Sequence, residues 1–175
     1  MVKGGFGIYG FPVVLTAKLG CPHRKNKHIR EYKKEDIANL KKMSKGAFRT
    51  VHWYRDSNFK MGDVDRLYVK WVENSCKGRA SLVLIYEENK KVLGYVACNK
   101  QKNIGVIDLI AVSKDYKGKG VGKVLVMAAL NHFKEMGFNQ IKVKTDIRNA
   151  AALNLYNKCG FKITWIGLNM NKLIR

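Results

Sequence analysis

Hydrophobic and polar positions divide the chain into a short apolar start, a helical front and a strand-rich body. Phe6 to Ala17 is an apolar run interrupted by Gly7, Gly10 and Pro12, which predicts a strand or an edge hairpin. Cys21 to Lys27 is polar, basic and contains a proline, the composition of a linker. His28 to Tyr32 reads as a short strand. From Lys34 to Lys45 the apolar residues Ile37, Leu40 and Met43 recur close to one helix face, and Gly46 follows as a C-terminal cap. Phe48 to Gly62 mixes aromatic residues with Asp, Ser and Asn and reads as a loop. Val64, Leu67, Tyr68, Trp71 and Val72 then outline one face of a second helix, Val64 to Cys76, ending near Gly78.

The period changes at Ala80. Ser81 to Tyr86 and Val92 to Cys98 are apolar runs on either side of Glu88-Asn89-Lys90, the pattern of a hairpin, and Ile104 to Val112 extends it to a three-strand meander. Val121 to Met136 is long and rich in helix formers, Gln140 to Lys144 is a short strand, and Ala150 to Lys158 is a helix whose inward face is Ala152, Leu155, Tyr156 and Cys159. Phe161 to Leu173 closes the chain as strand. This order predicts a mixed α/β layer fold, with residues 1–27 as an N-terminal segment and 28–175 as one domain.

Composition fits a single core: 46% of the 175 residues are apolar, which excludes disorder, and 16 Gly without a three-residue period beside two Pro exclude collagen-like chains. The charge is unusual. Lys and Arg total 34 against 13 Asp and Glu, a formal net charge of +21, which predicts attraction to polyanions without saying which. Cys21, Cys76, Cys98 and Cys159 lack CxxC or zinc-ligand spacing, so no metal site is expected, and they read as reduced thiols of the cytoplasm. The apolar start lacks a small-x-small cleavage site and is too short to span a bilayer, so neither a leader nor a membrane is expected.

Between the third strand of the meander and the long helix lies Lys117-Gly118-Lys119-Gly120-Val121-Gly122-Lys123. Three alternate glycines at a helix N-terminus leave backbone N–H groups free to meet an anion, with the positive end of the helix dipole behind them. The spacing is neither that of a Walker loop nor that of a dinucleotide fingerprint.

This loop resembles the pyrophosphate loop of the GNAT superfamily of acyl-CoA-dependent N-acyltransferases, (Gln or Arg)-x-x-Gly-x-(Gly or Ala), with Lys117, Gly120 and Gly122 in those positions. Ile107 to Val112 is similar to the superfamily's central strand. Asn149-Ala150-Ala151-Ala152-Leu153-Asn154-Leu155-Tyr156, followed by Gly160-Phe161, is similar to its N-x-x-A-x-x-L-Y-x-x-x-G-F motif. The resemblance implies a mostly antiparallel sheet flanked by helices on both faces. It also implies acetyl-CoA as co-substrate, transfer of acetyl to a primary amine by direct attack, and a cofactor site formed by Ile110, Ala111, Val112, the loop Lys117 to Lys123 (with Lys119 and Val121), Asn149 and Tyr156. It makes Tyr156 the general acid that protonates the CoA sulfur; the alternative is a core tyrosine whose hydroxyl is satisfied by a backbone carbonyl.

Asp108 is the carboxylate of an apolar strand, where burial raises its pKa toward a useful value for a base. The roles open to it are base, ligand of the substrate amine, and strand end. Asn149 is open between a helix N-cap and a contact to pantetheine. Backbone N–H groups around Ile110 to Val112 are the natural oxyanion donors.

For the acceptor, Trp71 to Gly78 and Ile8-Tyr9-Gly10-Phe11-Pro12 resemble pieces of TDP-fucosamine acetyltransferases, which implies a TDP-linked amino sugar as small-molecule acceptor, with Trp71 and Asn74 near it; Trp71 is equally open to core packing on its helix, and Asn74 with Gly78 to a helix end. Trp53 and Tyr54 either stack on a sugar or base or cover the core. The alternatives are acetylation of a protein or small amine and, in another class, a basic nucleic-acid-binding module, which the sequence supports by charge alone; no specific nucleic acid is expected. A monomer or a homodimer is expected.

Overall fold

The computed structural model describes residues 6–20 and 25–172. Cys21, most of the expected linker and the final Leu173 lie outside them. The strands are β1 (Gly7–Gly10), β2 (Pro12–Lys18), β3 (Ile29–Glu31), β4 (Leu82–Glu88), β5 (Lys91–Gln101), β6 (Ile104–Val112), β7 (Gln140–Asp146), β8 (Lys162–Ile166) and β9 (Asn169–Asn171). The helices are α1 (Ile37–Ser44), α2 (Met61–Asn74), α3 (Val121–Glu135) and α4 (Ala150–Lys158).

Seven strands form one sheet in the order β3-β4-β5-β6-β7-β2-β8, and β1 pairs with β9 apart from it. Every pairing in the large sheet is antiparallel except β6 with β7. The expected mixed, mostly antiparallel α/β architecture is therefore present. Two apolar cores lie on its opposite faces. Leu40 of α1 and Val64, Tyr68 and Val72 of α2 pack on Ile85, Tyr95 and Leu109; Leu125, Ala129 and Phe133 of α3, with Tyr156 of α4, pack on Leu15, Val96, Ile107 and Ile141.

Local chemistry explains the meander. Asn89 and Lys90 both take positive φ, 49° and 60°, in the two-residue turn that joins β4 to β5. The opening run forms strand, as one of its two expected readings has it, and not the hairpin. β1 and β2 do not form a hairpin with each other, and β2 sits inside the sheet between β7 and β8. Its alternation explains the placement: Val13, Leu15 and Ala17 fill a core while Val14 and Thr16 face the other way. The closing segment is likewise two strands in two sheets, because the chain leaves the large sheet after Ile166 and returns beside β1.

Two irregularities of β6 create the space for a site. In its register with β5, Ala97 opposes Leu109 and Cys98 opposes Ile107, so Asp108 is an extra, bulged residue. The bulge inverts the strand's alternation, so Ile107 and Leu109, two residues apart, lie in opposite cores. On the other side, β6 pairs with β7 only from Ile104 to Ile107. Beyond that point the two parallel strands part.

Candidate active site

The parting of β6 and β7 opens a cavity of about 510 Å³, within the size range of small-molecule sites. Its walls come from β6 (Asp108, Ile110), β7 (Lys142, Lys144), α4 (Tyr156) and the segment before α2 (His52, Trp53). The sheet thus supplies two strand ends with unshared backbone edges. Ser113 N–H donates to the carbonyl of Leu93 at 2.8 Å, so the alternation of the ladder turns the N–H groups of Ala111 toward β5 and those of Ile110 and Val112 toward the gap.

Tyr156 is buried by α4 and tilted against Phe161, with ring centroids 5.4 Å apart. Its hydroxyl makes no hydrogen bond with any described residue, although the residue lines the cavity, so it is not held by a core carbonyl. Burial pushes its pKa above the usual phenol range, with Cys98 and Cys159 adding to the effect, so the hydroxyl keeps its proton at neutral pH. Asp108 is half-buried and accepts a hydrogen bond from Asn99 Nδ2 at 2.5 Å. Burial raises its pKa, against the opposing effects of the Asn99 bond and the Arg79 charge.

The glycine loop lies beyond Val112, outside the cavity wall, where it turns into α3. Gly120 is the residue before the helix, in the left-handed region at φ 86°, ψ −11°. Its carbonyl accepts from Val124 N–H at 3.1 Å. The N–H groups of Val121, Gly122 and Lys123 have no acceptor among the described residues, as the start of a helix leaves them. Gly122 lies against Leu155 of α4: a Cβ there would stand 3.3 Å from Leu155 Cδ2. The loop, the end of β6 and the helix bearing Tyr156 therefore meet.

Asn149 is the N-cap of α4: its Oδ1 accepts from Ala152 N–H at 3.1 Å, and it also borders the cavity. Trp53 and Trp71 both line the cavity. Trp71 stacks on Tyr68 at 5.8 Å, and its buried indole N–H has no acceptor among the described residues. Tyr54 and Asn74 are not brought to the cavity. The Tyr54 hydroxyl bonds Asp65 Oδ1 at 2.5 Å while Arg49 covers its ring, which turns it away. Asn74 follows Tyr68 by six residues, about 600° of helical rotation, which leaves it roughly 120° off that face. Ala111 belongs to the core beneath α1 and α2 and offers only backbone.

Sequence reasoning did not single out the polar contacts that close this side of the cavity. Asp146, buried at the end of β7, accepts from Arg148 Nε at 2.7 Å and from Phe11 N–H at 3.1 Å, tying the β1–β2 corner to the cavity. Its Oδ1 also takes Arg148 N–H at 3.0 Å, an Asx-turn whose Asp-x-Arg spacing was a readable signal. His52 meets Asn169 at 3.0 Å through Nδ1, and Asn171 donates to Asp56 at 2.6 Å. These join residues more than 110 apart, and no local pattern encodes them. Burial lowers the His52 pKa, helped by Lys144, so its imidazole is neutral at neutral pH. No cluster of three His, Cys, Asp or Glu among the described residues is arranged to hold a metal.

The model of the family described as acetyltransferase (GNAT) matches residues 47–161, and the chain belongs to that family. Among curated relatives, the spore coat polysaccharide biosynthesis protein SpsD of Bacillus subtilis is 21% identical over 126 residues, 72% of this chain and 44% of SpsD. The uncharacterized N-acetyltransferase MJ1207 of Methanocaldococcus jannaschii is 26% identical over 141 residues, 77% of this chain and 60% of the relative. N-alpha-acetyltransferase 30 of Schizosaccharomyces pombe is 30% identical over 79 residues, 42% of this chain and 53% of the relative. The chain thus spans about half the length of these relatives. Among solved structures, the PaiA N-acetyltransferase of Thermoplasma acidophilum, in complex with coenzyme A, superposes with a TM-score of 0.67 at 19% identity, covering 82% of this chain and 96% of that one. At that identity the likeness is one of fold.

Proposed function

We propose that the chain is an acetyl-CoA-dependent N-acetyltransferase acting on the primary amine of a small molecule. The observation that carries this reading is the parting of β6 from β7 beside a buried Tyr156 whose hydroxyl has no described partner and stays protonated. The residues fit acetyl-CoA. Unpaired N–H groups at the start of α3 and the cations Lys117, Lys119 and Lys123 suit its phosphates. The free edge of β6 at Ile110 and Val112 suits the amides of pantetheine.

The co-substrate supplies an acetyl thioester. Asp108 takes the proton of the incoming ammonium, directly or through water, leaving a lone pair to attack the carbonyl carbon. A C–N bond forms as the C–S bond breaks. The Ile110 N–H donates a hydrogen bond to the carbonyl oxygen as charge grows on it, leaving the Val112 edge to pantetheine. Tyr156 gives its proton to the departing sulfur, and the second proton of the attacking nitrogen returns to the resulting phenolate, directly or through water. Asn149 acts chiefly by capping the helix that aims Tyr156.

For the acceptor, the resemblance of Trp71 to Gly78 and the relation to a polysaccharide biosynthesis protein favour a nucleotide-linked amino sugar. Trp53 and Trp71 are the aromatic walls available to it. The buried free thiols Cys76, Cys98 and Cys159 agree with a reducing compartment. The test is calorimetric titration with acetyl-CoA, followed by thiol release across a panel of amines that includes TDP-amino sugars. Saturable binding and acceptor-dependent CoA release are expected. Absence of acetyl-CoA binding, with DNA binding that falls steeply with salt, overturns the reading.

A further inference from the structure

The cavity is electrostatically lopsided in a way the transfer chemistry does not require. Ile141 and Val143 of β7 point into the core beneath α3, so the alternation of the strand turns Lys142 and Lys144 to the cavity side. Their ladder neighbours offer no counter-charge: Lys142 lies between Val106 on β6 and Thr16 on β2, and Lys144 beside Val14. Neither ammonium has a hydrogen-bond or ion-pair partner among the described residues.

The acids that line this space, Asp146 and Asp108, and Asp56 behind its wall are already hydrogen-bonded. Asp146 is held by Arg148 through both carboxylate oxygens, at 2.7 and 2.8 Å. Asp56, behind His52, is held by Asn58 and Asn171. Asp108 is held by Asn99 across the cavity from the lysines. Two cations, Lys142 half-buried and Lys144 exposed, therefore border the cavity without a bonded counter-charge among the described residues, and of the acids described in its lining Asp108 is the one not paired with a cation. Such a site is completed by a ligand with opposite charges at its two ends.

Resting on the acetyltransferase reading, we propose that the acceptor carries an anionic group, phosphate or carboxylate, which Lys142 and Lys144 bind while its amine lies at Asp108. Adjacent strands are about 4.8 Å apart and alternate residues of one strand about 7 Å apart, so amine and anion belong to one small molecule, on the order of 5–10 Å from each other. A neutral amine or a polyamine lacks the second handle, and a polyamine is repelled by it.

The test uses the full chain saturated with CoA, so that the glycine loop is filled and cannot compete. Binding of TDP and of glutamate is measured by calorimetry against thymidine, which lacks the diphosphate, and glutamine, which lacks the side-chain carboxylate, in wild type, Lys142→Gln, Lys144→Gln and the double variant. The charged probe of one pair, TDP for a nucleotide-linked source or glutamate for a carboxylate source, is expected to bind over its counterpart without that anionic group. Its affinity is expected to fall about tenfold or more with each substitution, the usual scale for a hydrogen bond to a charged group. CoA affinity and Tm stay unchanged in the variants. If neither charged probe binds, or if binding is indifferent to both lysines, the proposal is overturned. Failure of CoA itself to bind overturns the acetyltransferase reading instead; the anion titrations on the free protein then still decide the role of the lysines.

Discussion

At the scale of single residues, Tyr156 and Asp108 are separable by what each loses when its polar atom is changed. The Tyr156 ring is fixed by α4 and Phe161, and its hydroxyl bonds no described residue. Removing the oxygen therefore costs the fold little. Tyr156→Phe is expected to lower kcat about 10²-fold or more, the scale of a lost general acid, with Tm and acetyl-CoA affinity nearly unchanged; stopped-flow thiol release and calorimetry check this. Weakened binding at unchanged kcat marks a packing residue. Asp108 has a raised pKa, chiefly because it is buried, so wild-type activity falls as pH drops through that value. In Asp108→Asn the loss is greatest at neutral and lower pH and shrinks as pH rises toward the pKa of the free amine, where the acceptor needs no assistance. A loss independent of pH removes the role of base. A carboxylate whose folded pKa is raised weakens the fold once it ionises, so the Asn variant is not expected to lower Tm at neutral pH.

Elements were legible in the sequence where a local pattern decides them. The three meander strands, the long helix after the glycine loop and α4 follow from apolar period and turn chemistry, and Tyr156 was placed on the inward face of α4 by spacing alone. What a local pattern cannot carry is partnership. The bulge at Asp108 depends on the register of β6 against β5. The cavity depends on where β6 leaves β7, and the insertion of β2 depends on an edge that only the folded sheet presents. Asp146 and the lysines of β7 were missed for that reason, whereas Tyr54 and Asn74 stayed open between an acceptor and a structural role because an aromatic loop and a helix end say nothing of rotation.

The junction of loop and helix gives an element-scale prediction. Gly120 has no heavy atom within 4 Å of where a Cβ would be, so only its φ of +86° opposes a side chain. Gly120→Ala is expected to cost about 1–2 kcal/mol of stability, the penalty for an L-residue in that region. If the loop relaxes to avoid it, the N–H groups of the first turn lose their common direction. The KM for acetyl-CoA then rises while activity at saturation is kept. Steady-state kinetics and thermal unfolding check the pair of effects, and an unchanged KM would show that the loop does not meet the co-substrate.

For the molecule as a whole, the excess of cations acts on stability as well as on ligands. With 34 Lys and Arg against 13 Asp and Glu, 21 positive charges stay in excess however the acids are shared among them. Self-repulsion of this surface falls with salt, because the Debye length shrinks from about 10 Å at 0.1 M to about 3 Å at 1 M. Tm at neutral pH is therefore expected to rise between those salt concentrations. Acid acts in the opposite direction by two routes. Protonation of the acids carries the formal charge from +21 toward the full 34 of Lys and Arg, before histidine is counted. It also removes specific contacts. Asp36 is held well below the usual carboxylate range by its hydrogen bonds to Arg30, the nearer at 2.7 Å. Asp146 and Asp56 are raised by burial, but the bonds from Arg148 and Phe11 and from Asn171 and Asn58 outweigh it, so both also end below that range. A carboxylate whose folded pKa is depressed contributes stability that is present above its unfolded value near 4 and is lost as pH falls through the folded value. The expected profile is a Tm that drops steeply below about pH 4. Salt should restore only part of that drop, because screening relieves the repulsion and not the broken hydrogen bonds. Replacing Asp36 by Asn, which cannot titrate, should flatten the acid limb while lowering Tm at neutral pH. Thermal unfolding of both proteins across pH at the two salt concentrations measures each part, and a full rescue by salt would assign the acid sensitivity to net charge alone.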